Sequence, residues 1–343
     1  MKFVYNALPA RIVFGEGTLA QLRDEVSRLR ATQPFVVAGR HHAEMALSLG
    51  MPAFTQAAMH TPVEVTARAL SQLGDADCVI AIGGGSAIGL SKAIALRTDL
   101  PQIAVPTTYA GSEVTAVLGQ TENGEKTTTR DPKIVPEVVI YDVALTLSLP
   151  RALTVTSGLN AMAHAVEALY AAEANPITSA FAEQALAAFA HSLPTLVEDP
   201  TQIDARGEAL FGAWTAGTCL GSVGMGLHHK LCHVLGGSFG LPHSETHAVI
   251  LPYATRYNLP AVPQAMARIA HAIDAEDGDA ANGLRVLAEQ LGAPTALKDL
   301  GMAEADLDRA AELAISGAYP NPRPIDRAKI RELLGNAWQG AWS

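Results

Sequence analysis

The sequence is poor in aromatic residues (5%) and in charge (17%), and it has three cysteines, Cys78, Cys219 and Cys232, none in a CxxC pair. So few thiols exclude a disulfide framework and point to a reducing compartment, the cytoplasm. Lysine and arginine number 24 against 34 acidic residues, a net charge of −10, and no basic block stands out. That excludes an electrostatic nucleic-acid binder. The N-terminal residues lack the basic start and apolar core of an export signal, with Pro9 and Arg11 soon after Met1 to Tyr5. The long uncharged stretch, residues 209–227, carries five glycines and few large apolar side chains. It is expected to be a buried helix rather than a membrane span.

Hydrophobic residues make up 49% of the 343, a globular composition of two-domain length. In the first half, short apolar runs alternate with helical patterns: Ala10 to Phe14, Pro34 to Ala38, Cys78 to Ile82, Ile103 to Val105 and Val138 to Tyr141. Continuous apolar strands separated by helices predict a doubly wound parallel α/β sheet. After Pro150 strand patterns give way to helical spacing, as in Leu159, Met162, Val166 and Leu169. The expected organisation is a nucleotide-binding α/β domain over residues 1–150 and an all-α catalytic domain over residues 151–343. An Ala-rich helix from Ala180 to Leu193 is expected to end near Pro194.

One predicted strand runs into Gly83-Gly84-Gly85-Ser86 and then a helix. Glycines there let backbone approach a pyrophosphate, and a helix N-terminus supplies unpaired N–H groups. The pattern is neither GxGxxG nor a Walker loop; alone, it is equally a tight strand–helix turn. A second loop, Pro106 to Thr115 (PTTYAGSEVT), also follows a strand. Thr107, Thr108 and Ser112 suit ribose and nicotinamide contacts, and two such loops at strand carboxyl ends are where a dinucleotide lies.

Five of the eleven histidines fall between residues 228 and 247: His228, His229, His233, His243 and His247. His229 and His233 are four apart, on one helix face, and so are Asn160 and His164. Asn160, His164, His229 and His243 could converge as three imidazoles and an oxygen, a plausible set for a divalent transition metal. His247 could equally cap a helix or sit in the core.

GGGS at residues 83–86, the PTT…GSEVT loop and HHKLCHVLGGSFGLPH at residues 228–243 together resemble the iron-containing alcohol dehydrogenase superfamily. LNAMAHAVEALY at residues 159–170 and the segment from Gly226 to Val249 look like its maleylacetate reductases. The resemblance implies a dehydroquinate synthase-like fold, an active site in the cleft between two domains, and a homodimer. It implies reduction of the carbon–carbon double bond of maleylacetate to 3-oxoadipate, in aromatic-compound catabolism. Metal-dependent members carry Asp where this chain has Asn160, and the maleylacetate reductases are a branch that can work without metal. Metal is therefore expected to be dispensable, with His164, His229 and His243 as ligands if one is present. Many metal-dependent members also have Asp at the position of Gly89. NAD-selective members have Asp where Gly39 stands before Arg40 and His41, so NADH is expected with NADPH tolerated. Lys126 matches the family lysine near the nicotinamide ribose, with Lys133 a competitor.

On this basis His243 and His229 are expected to face the substrate ketone and the transferred proton, with His164 and Asn160 positioning substrate and His233 completing the cluster. The dicarboxylate substrate needs a cationic patch; Lys230, then Arg323, are the candidates. Two alternatives stay open: a metal-dependent alcohol or polyol dehydrogenase of the same superfamily, and a nucleotide-binding homologue without chemistry.

Overall fold

The computed structural model describes residues 3–5, 7, 10–122 and 125–342, without the side chains of residues 125 and 126. The chain forms two compact units, Ala7–Leu149 and Pro150–Ser343, the latter together with Met1–Asn6.

Among the described residues the first unit holds eight strands: β1 (Arg11–Gly15), β2 (Pro34–Ala38), β3 (Ala53–Phe54), β4 (Cys78–Gly83), β5 (Gln102–Pro106), β6 (Val117–Glu122), β7 (Glu125–Arg130) and β8 (Val138–Asp142). Six form a parallel sheet in the order β1-β8-β5-β4-β2-β3. Helices α1 (Leu22–Arg28), α2 (Ala43–Ser48), α3 (Val63–Leu70) and α4 (Gly85–Thr98) lie between the strands in sequence. Strands β4, β5 and β8 are buried along their whole length, which is why they read as unbroken apolar runs. Successive residues feed opposite cores. Val36, Ile80, Ile82, Ile103 and Ile140 pack on one face. Phe35, Val37, Val79 and Ala81 pack on the other with Ile88, Leu90 and Ile94 of α4.

Asp142, at the end of β8, holds the turn that follows β1. Its carboxylate accepts from the N–H groups of Gly17 and Leu19, both at 2.9 Å. Two features depart from the expected pattern. β3 is too short to leave a periodic signal. The antiparallel hairpin of β6 and β7 is rich in threonine and charge, and of the described residues only one of its side chains, Leu118, joins an apolar cluster.

The second unit is helical, as predicted: α5 (Arg151–Tyr170), α6 (Pro176–Glu198), α7 (Ile203–Ser222), α8 (Leu227–Phe239), α9 (His243–Asn258), α10 (Pro263–Ala272), α11 (Ala280–Gln290), α12 (Leu307–Ile315) and α13 (Arg327–Gln339). The uncharged stretch falls mainly in α7, and no helix among the described residues is long and apolar enough to cross a membrane. Its small residues serve close packing: a Cβ on Gly212 would come within 3.1 Å of the Phe189 ring on α6. Pro194 does not end α6, which runs on to Glu198. The proline forfeits one hydrogen bond, and full burial of Leu193 and Leu196 on either side holds the last turn in place.

Ile80 lies in the middle of β4 with no exposed surface. Ile80→Ala is expected to destabilise the first unit by about 2–5 kcal/mol, read as a lower urea midpoint for the transition of that unit.

Candidate functional site

The histidine cluster of the second unit is organised by a carboxylate. Glu167 lies on α5 one turn beyond His164 and is fully buried. Its Oε1 accepts from His228 N at 2.8 Å, and its Oε2 from Gly226 N at 3.0 Å. The same Oε2 meets His229 Nδ1 at 2.6 Å. A carboxylate on one imidazole nitrogen fixes the tautomer, so His229 presents Nε2 away from Glu167. That Nε2 is buried and has no protein partner, as do His164 Nδ1 and Asn160 Oδ1. The rings of His164 and His229 stack with centroids 5.1 Å apart.

A second layer stands beside the first. His228 Nε2 and His247 Nδ1 are 2.9 Å apart, one donating and one accepting, with Cys232 Sγ 3.6 Å from the same His228 nitrogen. Among the described residues these three are the donors whose ligand atoms all lie within 4.8 Å of one another. Burial, with Glu167 nearby, pushes the Cys232 thiol well above its usual range, so we read the trio as a hydrogen-bonded packing cluster rather than a thiolate metal site. The ring of His243, the exposed first residue of α9, lies 4.5 Å from that of His247. His233 is exposed, 6.2 Å from His229 ring to ring. The structure thus gathers His164, His229, His233 and His243 around one another, with Asn160 on the same α5 face as His164.

It does not gather the expected cations. Lys230 donates to the carbonyl of Ser316 at 2.8 Å and lies over the Tyr319 ring. Arg323 donates to Tyr257 O at 2.6 Å and stacks on the same tyrosine. Both are held on backbone carbonyls and aromatic rings of the helical unit. Sequence reasoning named His228 only as a member of the run, read His247 as a cap or core residue, and missed Glu167. The signal for Glu167 was a lone acid three residues after His164 in an otherwise apolar helix.

The family resemblance implies a metal that is dispensable, and the donors fit a divalent transition ion in kind. His164 and His229 supply imidazole nitrogens and Asn160 a neutral oxygen, through orphaned buried atoms that such an ion would use; His243, the third imidazole of the expected set, is exposed at the start of α9. The carboxylate behind His229 is the usual outer partner of a metal-bound imidazole. These donors give no support to the expectation that metal is dispensable.

In the first unit the glycine turn has the expected form. Gly83 takes φ +140°, open to glycine alone, and α4 begins at Gly85 with no side-chain cap, leaving its first N–H groups for a ligand. A Cβ on Gly84 would fall 2.8 Å from the Thr108 hydroxyl, so the turn and the second loop are in contact. Around Gly85 there is open space. Ser86 follows in the first turn of α4, and the Thr107 hydroxyl is buried without a partner. Ser112 starts a short 3-10 turn. Gly39 precedes a similar turn, Arg40–His42, and backs on the Ala57 carbonyl. A Cβ at Gly89 would overlap the Thr61 hydroxyl, so the acid of metal-dependent members has no room here. Lys126 falls in β7 but its side chain lies outside the described residues; Lys133 pairs with Asp99.

Burial, reinforced by neighbouring imidazoles, holds His164, His228 and His247 well below the usual histidine range. They are neutral in the fold but bind protons in the unfolded chain below its value of 6.5. Their contribution to stability is full above pH 6.5 and is lost as pH falls towards the folded values. The melting temperature of the helical unit should drop through that window, and less steeply in His247→Asn.

Residues 9–143 match the iron-containing alcohol dehydrogenase family, and residues 154–338 match the C-terminal domain of that family. The maleylacetate reductase of Rhizobium sp. strain MTP-10005 is 54% identical over 99% of this chain and 98% of its own. That of Sphingobium indicum is 49% identical, with the same two coverages. The crystal structure of maleylacetate reductase from Agrobacterium tumefaciens superposes with a TM-score of 0.96 at 52% identity, covering 99% of both chains. The chain belongs to the iron-containing alcohol dehydrogenase family.

Proposed function

We propose that the protein is a maleylacetate reductase. It would transfer hydride from a reduced nicotinamide nucleotide to the double bond of maleylacetate, giving 3-oxoadipate. One observation carries this: a buried Glu167–His229 pair beside His164 and Asn160, with three polar atoms unpartnered, in a chain about half identical to named maleylacetate reductases along its full length.

The nucleotide, when bound, supplies the hydride; a divalent ion, when bound, supplies a Lewis acid for developing negative charge. Hydride adds to the alkene carbon β to the ketone, and the electron pair moves to the ketone oxygen as an enolate. The chain must then do three things. The glycine turn and the Thr107–Ser112 loop hold the pyrophosphate and ribose. The Asn160 amide N–H would orient the ketone and meet its growing charge, while His164 and His229, whose Nε2 carries a lone pair opposite the Nδ1–H on Glu167, would hold the ion. A proton reaches the α carbon from His243, exposed at the start of α9. Because Lys230 and Arg323 are engaged elsewhere, the substrate carboxylates find positive potential at the N-terminus of α9, which has no side-chain cap. Gly39 repels no 2′-phosphate, so NADH serves and NADPH is tolerated. The sheet edge at β1 offers a strand for pairing with a second copy.

The test is loss of reduced-nicotinamide absorbance with freshly generated maleylacetate, before and after treatment with a strong chelator. Turnover on maleylacetate is expected, lost with chelator and restored by a divalent transition ion; no turnover while ketones or polyols react would overturn the assignment. His243→Ala should lower kcat about 10²–10⁴-fold and leave nucleotide affinity within about threefold. Glu167→Gln should cost about 10–100-fold in activity or metal affinity in a chain that still folds.

A further inference from the structure

Lys92 is a fully buried lysine in α4, two turns beyond the glycine turn that opens the same helix. Its ammonium reaches a single irregular segment. It donates to the carbonyls of Ser112, Thr115 (2.8 Å) and Val117 (3.0 Å), and to the Thr115 hydroxyl (3.0 Å). Gly111 (φ +76°) and the 3-10 turn Ser112–Val114 break the regular backbone here; the Ser112 carbonyl has one turn partner, the Thr115 N–H at 3.3 Å, and buried carbonyls need donors. Glu113, also fully buried, supplies the opposite charge and accepts from Tyr141 OH at 2.8 Å. At the other end of the loop, Thr108 rests on Gly84. Both ends of the second nucleotide loop are thereby tied to the helix that carries the first.

We propose that Lys92 is a positioning residue for the nucleotide: its ammonium fixes the Thr107–Ser112 loop against the glycine turn at the spacing that pyrophosphate and ribose require. This rests on the nucleotide-binding role proposed above. It assigns Lys92 to a task that its burial alone does not demand. A methionine of similar length fills the same space, and it removes the donor that ties the carbonyls of Ser112, Thr115 and Val117 together. The loop is then free to move away from Gly84. The defect falls on cofactor affinity, because the histidine cluster of the helical unit does not depend on this lysine.

The experiment measures NADH affinity by fluorescence titration, and kcat at saturating NADH, for the wild type, Lys92→Met and Thr115→Val, with folding checked by circular dichroism. Lys92→Met should raise Kd about tenfold or more while kcat falls less than about threefold. Thr115→Val, which removes one acceptor from the ammonium, should raise Kd by about threefold, and it decides the matter if Lys92→Met does not fold. A folded Lys92→Met, or failing that Thr115→Val, with wild-type Kd overturns the proposal. So does a fall in kcat that matches the loss of affinity. A wild-type chain that binds neither NADH nor NADPH overturns the nucleotide reading as well, which separates the two failures.

Discussion

The helical unit depends on one carboxylate that water does not reach. Burying Glu167 costs several kcal/mol unless its oxygens are saturated. They are saturated by two backbone N–H groups at the start of α8 and by the His229 ring. Three consequences follow. Helices α5 and α8 are fixed in register, since a shift would strand the charge. Position 226 favours glycine, because a Cβ would press on Glu167 at 3.2 Å and on the Pro320 carbonyl at 3.0 Å. And His229 has one nitrogen committed, so its chemistry runs through the other.

The first unit solves a similar problem with the opposite sign. The Lys92 ammonium is out of water and is offset by loop carbonyls and by Glu113. Burial still pushes it down to about 7, a measure of how costly that position is. In a chain so poor in charge, these two buried charges hold irregular backbone in place: a helix start at Gly226 and the segment Ser112–Val117. Regular elements need no such help, because their own hydrogen bonds and apolar faces suffice.

That division explains what could be read from the sequence. Strands β2, β4, β5 and β8 were legible because burial on both faces demands an unbroken apolar run. The β6–β7 hairpin was not, since threonines and charges alternate there without a continuous apolar face. Pro194 misled because its local cost is outweighed by tertiary burial of its neighbours. At the site, histidine spacing on α8 and the start of α9 gave the cluster. Lys230 is turned from the His229 ring because adjacency places it a hundred degrees around the helix, towards Ser316 and Tyr319. Glu167 was overlooked because a single acid in an apolar helix carries no pattern of its own; only its offset of three from His164 relates it to the site.

Asn160 takes a different meaning in this light. Read as a lost ligand, it argues for chemistry without metal. But an aspartate there would stand two helical turns, roughly 10 Å, from Glu167 on the same face of α5. Two carboxylates at that distance repel by about 1.7 kcal/mol at an effective dielectric of about 20. A substrate with two carboxylates of its own would meet that second charge as well, at closer range. Glu167 is already offset by its three donors, so a neutral residue 160 keeps the cluster free of uncompensated negative charge. The amide still offers an oxygen to an ion and, unlike a carboxylate, an N–H to an anion. Substrate charge is thus a sufficient reason for Asn160, and its neutrality does not by itself argue against a metal.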